Sequence, residues 1–207
     1  MKIAIMQPYF FPYAGYFELI SSVDTFVFLD DVQYTKRTWI NRNKIEIKDK
    51  EFKFVVPVKK SCQKTNIMNI EIHNNFWVEK HIKTFQHIYG KKINTNKFLE
   101  YYKTFKEHKN LCELLIDSII ETCRILKVKC NFCKSSTLNV QESGEEKVIN
   151  ICKKINASTY YNLPNGINYY NKNNFLKNKI DLKFTQLTNK GFNSILHFIL
   201  HENNYNF

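Results

Sequence analysis

The sequence predicts an α/β fold, a partly parallel sheet flanked by helices with an inserted β-hairpin and a helical segment, in a single domain over residues 1–207. Three observations predict it. The chain opens on an apolar run, a helical pattern and a second apolar run, and two parallel neighbours need such a crossover. Two alternating stretches then flank a short polar turn, as a hairpin does. Strand and helix patterns alternate again to the C-terminus. At 207 residues, 43% hydrophobic and 15% aromatic, the chain has material for a buried core and is too apolar for a disordered one.

Taken in order, Lys2 to Met6 is a short apolar run suited to a buried first strand, and Gln7 to Tyr13 is a Pro- and aromatic-rich loop. From Ala14 to Val23 apolar residues recur at helical spacing, and Thr25 to Asp30 is a second buried strand ending in Asp30-Asp31. Together these form a Rossmann-like beginning within a core motif region spanning 1–43. Residues 44–58 alternate around Asp49-Lys50, a hairpin. The helical insertion, 74–127, carries three helices over Asn74–Tyr89, Lys97–His108 and Leu111–Leu126. The chain returns to the sheet over 131–207. Its strands are expected at Asn131–Ser135, Ser158–Leu163 and Leu182–Leu187, with helices from Ser143 to Ile155 and from Asn193 to Leu200. Ser143 followed by Glu146 has the spacing of a capping box.

Composition narrows the function classes. The net charge is +12, but of 31 basic residues only Arg37, Arg42 and Arg124 are Arg. The rest are Lys scattered among Asn, which reads as solvated surface rather than a nucleic-acid footprint clustered on one face. The longest apolar stretches, such as Thr25–Leu29 and Ile195–Leu200, fall far short of the roughly 20 residues that cross a bilayer. The N-terminus lacks the apolar region and cleavage site of a signal peptide. A cytoplasmic protein without a membrane span is expected. The six Cys accordingly read as reduced thiols, with Cys112, Cys123 and Cys152 inside apolar helical patterns. Cys130-Asn-Phe-Cys133 is a lone CxxC without a second pair. His73, His81, His87 and His108 have no partner evident in sequence and are assigned no role.

Two blocks concentrate unusual chemistry. In Gln7-Pro-Tyr9-Phe-Phe-Pro12-Tyr-Ala-Gly15-Tyr16, two prolines and a glycine fix a rigid loop between strand and helix. The helix N-terminus there can favour an anion, and Gln7 carries an amide that a purely apolar plug would not need. The second block is Asp30-Asp31-Val-Gln33-Tyr34-Thr-Lys36-Arg37-Thr-Trp39-Ile-Asn41-Arg42-Asn43. Arg forks grip phosphate or carboxylate, and Trp and Tyr faces stack on a base or sugar ring. Three roles stay open for Asp30 and Asp31: holding Mg²⁺, acting as a general base, or only salt-bridging Arg37 and Arg42.

These blocks resemble the WbqC-like family. The resemblance is carried by Gln7 through Tyr16, by Asp24-Thr-Phe-Val-Phe-Leu-Asp-Asp-Val-Gln-Tyr34, and by Lys36-Arg-Thr-Trp-Ile-Asn-Arg-Asn43. Farther on, Glu146-Lys-Val-Ile-Asn-Ile-Cys-Lys-Lys-Ile155 and Thr159-Tyr-Tyr-Asn-Leu-Pro-Asn165-Gly166 look like that family's later helix and its strand-plus-Gly segment. Two departures stand out. The family pattern has His before the Gln-Pro pair where this chain has Met6, and an acidic residue where His197 stands. His197 and His201 share a helix face without an identifiable third ligand, so no metal site is expected from them.

Such proteins accompany bacterial O-antigen and other surface-polysaccharide gene clusters. The resemblance therefore implies a transferase of lipopolysaccharide or capsule-type glycan biosynthesis, moving an acyl or aminoacyl group, glycyl among the candidates, onto a nucleotide-linked amino sugar. The activated donor it implies is an acyl or aminoacyl compound, aminoacyl-tRNA included, and Mg²⁺ is the one cofactor the carboxylates suggest. Gln7, Asp30 and Asp31 are the expected catalytic residues. Tyr9, Pro12, Gly15, Tyr16, Gln33, Tyr34, Lys36, Arg37, Trp39, Asn41, Arg42, Asn165 and Gly166 are the expected substrate-binding ones. Two rivals remain. One is a nucleotidylyltransferase using ATP and Mg²⁺, loosely similar in its loop and Gly15-Tyr16 to the HxGH enzymes. The other is a non-catalytic accessory protein that binds sugar nucleotides.

Overall fold

A computed structural model describes residues 1–90, 95–188, 191 and 193–201. By contacts the chain gathers into two compact units, each drawn from three stretches of sequence. The first unit comprises Met1–Gln7, Ala14–Asp31 and Cys123–Gly191. It holds strands β1 (Lys2–Met6), β2 (Thr25–Phe28), β5 (Asn131–Lys134), β6 (Thr159–Asn162) and β7 (Asp181–Phe184). Its helices are α1 (Ala14–Ser21), α5 (Gly144–Lys154) and α6 (Lys172–Lys177). The second unit comprises Pro8–Tyr13, Val32–Thr122 and the described part of 192–207. It carries the hairpin β3 (Arg42–Ile47) and β4 (Lys50–Val55), helices α2 (Phe76–Tyr89) and α3 (Thr95–Thr104), α4 (Leu111–Ile125) as far as Thr122, and α7 (Ile195–His201).

The sheet of the first unit runs β5-β2-β1-β6-β7 with every pairing parallel. Numbered in chain order within the sheet, this is third, second, first, fourth, fifth, the doubly wound order that the Rossmann-like reading expects. Parallel strands covered on both faces read as continuous apolar runs, and Ile3, Ala4 and Ile5 of β1 are indeed buried together. On one face Ile3, Ile5 and Val27 pack with Val148, Ile151 and Cys152 of α5, Phe175 of α6 and Tyr160. On the other, Phe26 meets Tyr16 of α1 with ring centroids 5.3 Å apart, and Phe28 stacks on Phe132 at 5.6 Å.

The core of the second unit is aromatic. Phe10 and Phe11, both fully buried, pack with Trp77, Tyr102 and Phe105, while Phe54 of β4 stacks on Phe85 of α2 at 4.8 Å. Inside this cluster His81 accepts the Val55 N–H through Nε2 (3.2 Å), and its Nδ1 lies 2.8 Å from the Tyr102 hydroxyl. Because one ring nitrogen must accept, the other carries the proton and the ring is neutral. Burial pushes its pKa down to about 3.

The order of elements follows the sequence reading, and three of the differences have a local physical reason. The hairpin turn is Lys48-Asp49, one residue earlier than expected, and both residues take positive φ (48° and 60°). Positive φ at both positions is the geometry of a type I′ hairpin turn. The third expected strand of the C-terminal region stops at Phe184, after which Thr185 bonds back to Asn162. Helix α6 lies in an Asn-rich stretch of poor helix propensity, and is begun by Asn171 accepting from the Asn173 N–H.

Candidate functional site

In a doubly wound sheet ligands gather where the strand order reverses, beyond the carboxyl ends of the strands. Here the reversal lies between β1 and β6. Strand β1 stays paired with β2 to Met6↔Phe28 but leaves β6 at Ala4↔Tyr161, two residues sooner. The strands part at their carboxyl ends, with half-buried Gln7 on one side and the Leu163–Gly166 loop on the other. The Gln7 carbonyl accepts from the Tyr16 hydroxyl at 2.9 Å, which ties the strand's exit to α1. Gly15 and Tyr16 are themselves core residues. Tyr16 is fully buried, with its hydroxyl on that carbonyl.

Across the loop, Asn162 is buried and its Oδ1 accepts from the Leu163 N–H at 2.7 Å. Gly166 sits so close that a Cβ placed on it would lie 2.7 Å from Asn162 Nδ2, so its lack of a side chain is required by contact rather than by φ. Asn165 is exposed on the same loop.

Asp30 and Asp31 follow β2 on the same edge. Asp30 is buried, and its carboxylate accepts from the Ser136 N–H (3.0 Å), the Ser136 hydroxyl (2.7 Å) and the Ser135 hydroxyl (3.1 Å). It thereby anchors the 3₁₀ turn Ser135–Leu138 that follows β5. Asp31 accepts from the same Ser135 hydroxyl at 2.5 Å and from Lys147 Nζ at 2.8 Å. Lys147, on α5, is 6% exposed and gives a further bond to the Val140 carbonyl at 2.7 Å. Of the three roles left open for these carboxylates, the ion pair found for Asp31 is with Lys147. A long ammonium reaching from the interior of α5 needs a buried acceptor, and Asp31 is the carboxylate within reach.

This donor set does not suit Mg²⁺. The ion asks for several free oxygens in an octahedron, whereas both Asp30 oxygens already meet hydroxyl or amide donors and Asp31 faces the Lys147 ammonium. Among the described residues no group of three or more His, Cys, Asp and Glu side chains gathers elsewhere. His197 Nδ1 lies 3.1 Å from the Tyr89 hydroxyl, and the side chain of His201 lies outside the described residues. All six Cys are free thiols, and burial pushes Cys123 and Cys152 up to about 12.

The remaining expected site residues belong to the second unit. Asn43, an amide of the same block, donates to the carbonyls of Phe10 (3.0 Å) and Phe11 (2.7 Å), holding Phe11 at a φ of 43°. Pro12 is buried and its carbonyl accepts from Ile195. Asn41 is buried with Nδ2 on the Val56 carbonyl and Oδ1 without a partner. Lys36, Arg37 and Gln33 are exposed, and Trp39 is 52% exposed. Tyr34 is buried, and its phenol is pushed up by burial and drawn down by the Arg42 charge. Tyr9 is pushed up by burial alone. Arg42 is half-buried, with its Nε sealed from solvent and unpartnered.

Ser135, Ser136 and Lys147 escaped the sequence reading. Only Lys147 left a signal: it stands beside Val148 and four residues before Ile151, within the apolar stripe of an amphipathic helix. Ser143 takes the extended N-cap conformation but makes no side-chain cap bond, so the capping box is absent. Glu145 instead accepts from the Asn171 N–H and the Asn174 amide.

The profile of the WbqC-like protein family matches residues 7–195. The chain is also similar to Rv1507c of Mycobacterium tuberculosis (strain ATCC 25618 / H37Rv), an uncharacterized protein, at 28% identity over 178 residues, which cover 84% of this chain and 77% of that one. No solved structure matches. Among the described residues no helix is long and apolar enough to cross a membrane.

Proposed function

Because the chain belongs to the WbqC-like protein family, we propose that it is a group transferase of bacterial surface-glycan biosynthesis, moving an acyl or aminoacyl group, glycyl among them, onto a nucleotide-linked amino sugar. The observation that carries this reading is Asp31, a partly buried carboxylate held by Lys147 and Ser135 at the carboxyl edge of a doubly wound sheet. An amino group attacks an acyl carbon only when neutral, so transfer needs an acceptor for its proton close by. In this reading the sugar amine approaches Asp31 and its nitrogen bonds to the donor's acyl carbon. The carbon's bond to the leaving oxygen or sulfur breaks, and the proton passes through Asp31 to the leaving group. Lys147 holds the Asp31 carboxylate in place. Gln7 orients the acceptor, and Asp30 holds the turn beneath rather than touching substrate.

The test is transfer itself, followed by mass spectrometry on nucleotide-linked amino sugars supplied with thioester or aminoacyl-tRNA donors. Asp31→Asn is expected to lower the rate about 100-fold or more while keeping the far-UV spectrum of the parent. Undiminished transfer by Asp31→Asn would refute the assigned role. A binding protein without turnover is the second reading, favoured by the internal bonds that already engage both carboxylates. It expects sugar-nucleotide affinity, no product with any donor, and unchanged affinity in Asp31→Asn.

A further inference from the structure

We propose that the turn after β6 forms a saccharide-binding site, with the ring of Tyr169 as the platform for one face of a neutral hexose. The inference goes beyond the transferase reading and does not depend on it. Every residue it uses lies within the first unit. An open groove of about 620 Å³ is lined by Glu145, Asn168, Tyr169, Tyr170, Asn171 and Lys172. Five of these follow the carboxyl end of β6, and Glu145 stands in the first turn of α5. The groove has a fixed frame. Tyr170 packs edge-on against Tyr160 (5.6 Å) and Phe175 (5.8 Å), and the Tyr169 N–H donates to the Gly166 carbonyl at 3.0 Å. The two carboxylate oxygens of Glu145 accept from the Asn171 N–H and the Asn174 amide. On this frame the side chain of Tyr169 is left 79% exposed. Ile167 and Leu176 are exposed in the same stretch, so the ring is not an isolated surface residue.

The polar side chains select the ligand. Asn168, Tyr169 and Lys172 have no side-chain partner among the described residues. They leave an amide and a phenol that both donate and accept, and an ammonium that donates. Lys172 and Glu145 carry opposite charges, so the groove has no net charge with which to attract an anion. A phosphate would ask for a cluster of cations, and a protein partner for a more apolar centre. A pyranose has the matching chemistry, with a C–H face to lie on an aromatic ring and a rim of hydroxyls to meet amides. Glu145 and Lys147 stand two residues apart on α5, about 200° round the helix. Glu145 therefore serves this groove while Lys147 serves Asp31.

The test is saturation-transfer NMR on the full-length protein with a panel of free hexoses, N-acetylhexosamines and their disaccharides, each binder then being titrated. The parent is expected to bind at least one with a dissociation constant on the order of 1 mM. The affinity should stay level between about 50 and 500 mM salt, because no charge is neutralised. Tyr169→Ala should weaken it about tenfold or more with an unchanged melting temperature, since the ring is exposed. Tyr169→Trp should retain it, and Asn168→Ala should cost several-fold. Saccharide binding without transfer to any nucleotide-linked amino sugar would uphold the site and sink the transferase reading. Transfer by a protein that binds no free saccharide would do the reverse. Binding undiminished in Tyr169→Ala overturns the inference, as does binding that free nucleotide competes away. Self-association that Tyr169→Ala abolishes, with no sugar bound, would make the ring a protein contact and overturn it too.

Discussion

Lys147 and Asp31 illustrate how a single ion pair can be both a structural cost and a chemical resource. Their side chains are 7% and 15% exposed, so neither charge is well hydrated. Removing one partner strands the other, and Lys147→Met should destabilise the protein by about 3–5 kcal/mol in a denaturant melt. The double variant Lys147→Met with Asp31→Leu should recover much of that loss. His81 sets a second expectation. Its folded pKa, about 3, lies below the ordinary 6.5, so between these values the unfolded chain binds a proton that the folded chain refuses. The stability it supports is complete above pH 6.5 and is lost as pH falls toward 3, at up to about 1.4 kcal/mol per pH unit. Melts from pH 7 to 4 should show that slope in the parent and a shallower one in His81→Gln. Gly166→Ala must displace the Asn162 amide and should cost about 1–3 kcal/mol by the same measurement. At this scale the sequence was informative about residue types and silent about partners. Gln7, Asp30 and Gly166 stood out by type, but that Ser135 would serve Asp30 across 105 positions of sequence is invisible to any local pattern.

Elements were more legible than partners, because burial on both faces of a parallel strand and on one face of a helix leaves periodic traces. Strand β1 and helix α4 declared themselves through such runs, whereas α6 is mostly Lys and Asn with only Phe175 buried, too short a pattern to detect. The hairpin turn was misplaced by one residue because Lys48 and Asp49 are not the Asn-Gly pair that two positive φ angles prefer. Replacing them with Asn and Gly removes that mismatch. The variant should raise the melting temperature, by roughly 0.5–1 kcal/mol of added stability, with no change in ligand affinity.

For the molecule as a whole, each compact unit is assembled from segments far apart in sequence. The second unit illustrates the consequence for dissection. A fragment spanning 32–122 contains the hairpin and helices α2 and α3, yet lacks Phe10 and Phe11, the rings around which Trp77, Tyr102 and Phe105 pack. Such a fragment should keep helical far-UV signal, lose near-UV structure and bind a hydrophobic dye. Adding Pro8–Tyr13 through a short N-terminal linker should restore part of the order. The central position of β1 carries a consequence in time. It leaves the ribosome long before one of its two neighbours, β6, which begins only at Thr159. At about 5–20 residues per second, the intervening stretch takes roughly 8–30 s to synthesise. Through that interval this central strand, with Ile3, Ala4 and Ile5 made for burial, has one open hydrogen-bonding edge, so holding chaperones should matter more to this chain during its synthesis than afterwards.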